Sequence, residues 1–216
     1  MDLQFFGANC VVLSYKGARI VVDDNLKELG AKTVTKPDDV ALFTAKHTES
    51  SGRITFDRPG EYEVSDISII GIAARAHTDE VGQFSATMFK LMAGDQSVLV
   101  TGHIYPDLSD SQLESIGIVD VMVVPVGGNG YTTDPIGALK LIKAIEPKLV
   151  IPTHYADNSL KFPVPQQDLA DALKEIAMEP KPLLLHWDLS RVCSPVSIGF
   201  SIFSMISCAI WLNLEM

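Results

Sequence analysis

Up to Thr101 the chain is written in short apolar runs broken by glycine turns, and from Leu108 onward the apolar spacing changes to that of helices. A segment that buries alternate residues pairs into a sheet, whereas apolar residues three and four apart bury one face of a helix. The switch therefore restricts the chain to mixed α/β architectures. Leu3 to Phe6, Cys10 to Tyr15 and Ala18 to Asp23 predict three strands, the last two joined at Lys16-Gly17 into a hairpin. Val40 to Thr44, Ile54 to Phe56, Ile67 to Ala74, Thr87 to Met92 and Ser97 to Thr101 continue the series, with Pro59-Gly60 and Gly94-Asp95 as turns. Strands in such succession read as a β-meander.

Helices follow. SDSQLESIG places apolar residues at helical spacing behind a Ser/Asp start signal, and VDVMVVPVGG after it reads as a buried strand. Asp134-Pro135 opens a second helix, with Ile136, Leu139, Ile142 and Ile145 on its apolar side. Lys148 to Pro152 predicts the next strand, Gln166 to Met178 a third helix stopped by Pro180, and Leu183 to Trp187 a last strand. Residues 1–191 are taken as one domain and residues 192–216 as an apolar tail. From Val192 to Leu214 the tail carries no charge, which approaches the roughly 20 apolar residues of a membrane-spanning helix. Its serines, Pro195 and Gly199 count against that. Three readings stay open: a membrane anchor, which is not the favoured one, a final buried segment, or a tail without selected function.

Composition removes several classes of function. With 216 residues, 47% of them apolar, the chain can bury a full core. Acids outnumber bases 27 to 17 and the formal charge is −10, so the average surface field repels polyanions and argues against nucleic acid as a partner. Cys10, Cys193 and Cys208 form no CxxC pair, which fits a reduced, cytoplasmic protein. The start, MDLQFFGANCVVL, has no basic segment before its apolar run and reads as a first strand, not a secretion signal. No Gly-x-Ser-x-Gly elbow is present, and Gly127-Gly128-Asn129-Gly130 lacks the Lys and Ser/Thr of a phosphate loop, leaving it as a loop rimming the sheet. Cys10, inside a strand, reads as a small core residue.

The chemistry lies with the histidines. Of five in the chain, His47, His77, His103 and His154 stand just past predicted strand ends, where a sheet presents ligands and catalytic groups. Taken singly, each is better explained as a loop histidine satisfied by a backbone hydrogen bond.

Four blocks carry a resemblance: QFFGANCVVLSYKGARIVVDD near the start, PGEYEV at 59–64, LSDSQLESIGIVDVMVVPVGG at 108–128 and AIEPKLVIPTHY at 144–155. In this order they resemble the metallo-β-lactamase fold superfamily, in a branch of zinc-dependent hydrolase-like proteins near the ascorbate-6-phosphate lactonase group. The resemblance implies a four-layer αβ/βα sandwich with a metal site at one edge between two sheets. By the same resemblance Tyr131 and Thr132 line a pocket, and Asp23 matches an acid that helps order the site.

The metal motif departs from the family's. Where the family carries His-x-His-x-Asp-His, this chain reads Ala45-Lys46-His47-Thr48-Glu49-Ser50. Only the second histidine survives, with Glu49 in place of the acid. His77 falls near the family's mid-chain histidine, His103 takes the place of the carboxylate that bridges two metals, and His154 matches the last histidine. A two-metal hydrolase needs that bridge to hold its ions about 3.5–4 Å apart, so a full dinuclear site is disfavoured. The implied ligands are His47, Glu49, His77, His103 and His154, binding one zinc or other divalent ion, or none. Three outcomes follow: a non-catalytic relative, a reduced mononuclear site, or an active metal-dependent hydrolase of a lactone, ester or phosphoester whose partner is a small molecule. Oligomeric state stays open.

Overall fold

The structure is a computed structural model that describes residues 1–47, 51–178, 180–181, 187–188 and 211–213. In chain order the strands and helices are β1 (Asp2–Gly7), β2 (Cys10–Tyr15), β3 (Ala18–Val22), β4 (Val40–Leu42), β5 (Ile54–Phe56), β6 (Gly60–Val64), β7 (Ile67–Ala74), β8 (Ala86–Ala93), β9 (Gln96–Val100), α1 (Asp110–Ile116), β10 (Val121–Pro125), α2 (Pro135–Ile145), β11 (Leu149–Thr153), α3 (Leu169–Ile176), β12 (Pro180–Lys181), β13 (Trp187–Asp188) and β14 (Trp211–Asn213). They form a six-stranded sheet, β13-β1-β2-β3-β4-β5, and an eight-stranded sheet, β12-β14-β11-β10-β9-β8-β7-β6.

Period-two burial sets the two sheets face to face. Val11 and Leu13 of β2 join Ile69, Leu91, Val100 and Val123 of the other sheet in the central core. Cys10 and Val12 point the opposite way, into a cluster with Leu26, Leu29 and Leu160. The far face of the eight-stranded sheet packs on the helices, where Met88, Leu99 and Met122 meet Ile116, Leu141, Ile142 and Leu173. This is the sandwich, with flanking helices, that the resemblance implies. Burial pushes the Cys10 thiol well up, as suits a core residue and not a nucleophile.

Local chemistry accounts for the joints. Lys16 and Gly17 both take positive φ, 45° and 86°, matching a primed hairpin turn between Tyr15 and Ala18. Ser109 caps α1 in a reciprocal box with Gln112, and Asp134 caps α2 with Pro135 in the first turn. The expected meander holds for β6 to β9, which pair antiparallel in sequence order. It fails for β3, β4 and β5, which are parallel, because the segment after β3 must cross back before each new strand joins the edge. Helix α3 starts at Leu169, later than Gln166, since Asp168 is its N-cap and Gln166 is engaged elsewhere.

Of the last predicted strand, residues 183–186 lie outside the described residues, while Trp187 pairs with Leu3. Of residues 192–216, the described part is β14, hydrogen-bonded to β11 and β12. Among the described residues no helix is long and apolar enough to cross a membrane.

Candidate metal centre

Strand direction assembles the site. β7 and β9 both run antiparallel to β8 and so run the same way, while β9, β10 and β11 are parallel. Segments leaving β7, β9 and β11 therefore emerge at one edge of the eight-stranded sheet, and they carry His77, His103 and His154. The His103 and His154 rings meet edge-on with centroids 4.6 Å apart, and the His77 and His103 rings lie 6.2 Å apart. The backbone N–H of His77 donates to the His103 carbonyl at 3.1 Å, and its Nδ1 lies 3.2 Å from the same oxygen. A carbonyl only accepts, so this Nδ1 carries a proton, and in the neutral ring the lone pair falls to Nε2. That Nε2 is buried without a partner, and so is Nδ1 of His103.

Burial, then the proximity of His154 and His77, presses the His103 imidazole down to about 3. Burial holds His154 down to about 4, against the upward pull of its bond to Gln166. Both rings are accordingly neutral at pH 7, the form in which imidazole binds metals.

The second sheet braces this edge. Asp23, just past β3, accepts from the Thr44 N–H at 2.7 Å, the Thr44 hydroxyl at 2.6 Å and the Asn9 amide at 2.5 Å. Asn9 in turn accepts from the Thr153 hydroxyl at 2.7 Å, so a buried polar chain joins the two sheets one residue before His154. Burial raises the Asp23 carboxyl, and the Thr44 and Asn9 donors oppose that rise. His154 itself sits at φ 55°, its N–H donating to Ala8 at 2.7 Å.

Two glycines permit the close packing. A Cβ on Gly127 would lie 2.0 Å from the His154 carbonyl oxygen and 2.2 Å from Gln166 Oε1. On Gly102, at φ 63°, it would lie 2.3 Å from the Thr44 side chain.

The expected ligands divide. His77, His103 and His154 come together; the His47 ring stacks on Phe43, at 3.8 Å and 11° between planes, and lies near enough to Asp23 to pull its carboxyl down. Glu49 and Ser50 lie outside the described residues, and Ala45 is exposed, bridging to Ala86. The Tyr131 ring lies 6.0 Å from His103 and 5.7 Å from His154. Thr132 is buried with its hydroxyl unpartnered. Asn9, Thr44, Thr153 and Gln166 escape sequence reasoning, because polar residues at strand and helix ends look alike until the fold joins them.

Among the described residues no group of three or more His, Cys, Asp or Glu side chains is drawn into ready metal-holding geometry. The fit of the residues to an ion rests on donor chemistry: two buried imidazole nitrogens without partners, beside a third imidazole, are costly in an apolar setting and suit a cation.

Residues 2–154 match the model of the β-lactamase superfamily domain, and the chain belongs to that family. Among relatives, a UPF0173 metal-dependent hydrolase of Salinibacter ruber is 39% identical over 87 residues, 40% of this chain and 36% of that protein. Another from Carboxydothermus hydrogenoformans is 37% identical over 67 residues, 31% of this chain and 29% of that protein. The matched parts thus span about a third of those relatives' own length. Among solved structures, a candidate zinc-dependent hydrolase of the metallo-β-lactamase superfamily from Thermotoga maritima has a TM-score of 0.65 at 29% identity, covering 81% of this chain and 85% of that one. Igni18, a metallo hydrolase of Ignicoccus hospitalis, shares the fold with a TM-score of 0.58 at 17% identity, covering 82% and 90%.

Proposed function

We propose that this chain binds one divalent metal ion, zinc by its donor set, on His77, His103 and His154, and hydrolyses a small lactone, ester or phosphoester. The observation that carries the reading is the pair of buried, unpartnered imidazole nitrogens on His77 and His103 next to His154. Three nitrogen donors suit zinc over magnesium or calcium, and a site with three protein ligands keeps a fourth position open. Bound there, the ion supplies Lewis acidity and lowers the pKa of water.

The chain's own residues do the rest. The Asp23–Asn9–Thr153 bonds fix the strand end that delivers His154. Tyr131 and Phe162, whose rings lie 5.7 and 4.8 Å from His154, pack beside that imidazole. Asp23 is spent on its three donors and buried, so it serves as a brace and not as a base.

A second reading, a binding scaffold without catalysis, draws on Ala45 in place of a ligand and on the absence of ready metal geometry among the described residues. Elemental mass spectrometry on protein purified without chelator or affinity metal decides between them. About one zinc per chain is expected, as for other structural or catalytic sites of this donor set, lost in His154→Ala, with hydrolysis of a lactone or ester panel falling in step. No uptake under excess zinc overturns the metal reading; uptake without turnover leaves the scaffold.

A further inference from the structure

Gln166 is a residue that neither the motif nor the family match reaches, since the match ends at residue 154. It lies in the segment before α3, buried, with both ends of its amide engaged. Its Nε2 donates to the Val164 carbonyl at 2.9 Å, and its Oε1 lies 3.1 Å from Nδ1 of His154. The first bond decides the second. A carbonyl can only accept, so the NH2 group faces Val164 and the amide oxygen must face the imidazole. An amide oxygen also only accepts, which requires a proton on His154 Nδ1 and leaves the lone pair on Nε2.

The packing holds this pair in place. Gly127 leaves room for the Gln166 carbonyl, since a Cβ there would lie 2.2 Å from Oε1. The Gln167 N–H donates to the Gly127 carbonyl at 2.9 Å, tying the segment to the end of β10. The Phe162 ring packs against that of His154, with centroids 4.8 Å apart. His77 obtains the same proton arrangement from the His103 carbonyl, which no side-chain substitution removes. At His154 the proton is held by the Gln166 amide oxygen together with the residue's own carbonyl, and of these two acceptors only Gln166 is a replaceable side chain.

We propose that Gln166 is a positioning residue, holding His154 as the Nδ1–H tautomer with Nε2 free to bind the ion. It rests on the metal reading above for its consequence, and on hydrogen-bond geometry alone for its cause. An amide in this role acts as the outer partner that orients a ligating histidine, and loss of such partners costs about 10–100-fold in metal affinity.

The test compares Gln166→Leu with Gln166→Glu. Both lose the donor to Val164, whereas only the glutamate keeps an acceptor for Nδ1–H, so their difference isolates that bond from general damage. Long-range 15N–1H spectra of the metal-free protein report the His154 tautomer, and zinc titration against a competing chelator reports affinity. Wild type and Gln166→Glu are expected to show the Nδ1–H tautomer and Gln166→Leu to shift toward Nε2–H, with zinc affinity down about 10–100-fold in the leucine variant alone. A wild-type Nε2–H tautomer, an unchanged tautomer in Gln166→Leu, or equal affinities in the two variants overturns the proposal. Wild-type protein that shows Nδ1–H yet takes up no zinc overturns the metal reading and the positioning role with it, while the tautomer assignment, read without metal, stands apart.

Discussion

Asp23 and Gly127 show how single residues hold this edge of the protein together. Asp23→Ala would leave the Thr44 N–H and the Asn9 amide as buried donors without a partner. Each such orphan costs on the order of 1–3 kcal/mol. Urea unfolding of this variant is therefore expected to lose about 3 kcal/mol, and a loss below about 1 kcal/mol would show that the chain relaxes to satisfy those groups. Gly127→Ala forces a methyl group against the His154 carbonyl at 2.0 Å, in a place where backbone must move. The expected cost is about 2 kcal/mol or more in stability, together with weaker zinc binding, because the displaced atom belongs to His154, one of the proposed ligands. Unchanged zinc affinity in a folded Gly127→Ala protein would uncouple the glycine from the site. At this scale sequence reasoning reached the three histidines and Asp23, the latter by resemblance alone. Gln166 stayed hidden, because a glutamine ahead of a helix carries no local mark of what its amide will meet.

Among the elements, α2 matters most to the site, since its start anchors the glycine loop that carries Tyr131. Asp134 Oδ1 accepts from the Gly137 N–H at 2.6 Å, and the neighbouring Thr133 hydroxyl donates to Ile104, just past His103. Asp134→Ala should cost about 1 kcal/mol, the usual worth of an N-cap, and lower Tm accordingly. Melting indistinguishable from wild type would mean that packing of Leu141 and Ile142 alone sets the helix. This cap and its proline were legible in the sequence because capping is local chemistry, satisfied within a turn. Strand direction was not, and the parallel arrangement of β3, β4 and β5 departs from the expected meander. Direction is decided by which partner a strand finds, and β4, with three apolar residues buried throughout, has no alternating pattern to constrain it.

For the whole molecule the depressed histidines make a linkage argument. His103, down to about 3, and His154, down to about 4, bind protons more weakly in the folded chain than in the unfolded one, where imidazole titrates near 6.5. From about pH 6.5 downward to about 4 the unfolded state binds more protons, so stability falls as pH falls, by about 1.4 kcal/mol per pH unit for each group fully engaged. Asp23, whose carboxyl is raised, contributes with the opposite sign. Metal-free protein should thus lose stability on acidification across that window, and the slope should shrink in a His103→Gln variant. A flat profile from pH 6.5 to 4 would contradict the burial of both rings. The sequence alone determined the mixed α/β class, most strand and helix positions, the caps of the first two helices and the four histidines past strand ends, because each follows from side-chain periodicity or chemistry within a few residues. Only the tertiary structure decided that β7, β9 and β11 run the same way. It thereby brought His77, His103 and His154 to one edge and set Gln166 against His154, since contacts between residues far apart in the chain depend on how the sheets close.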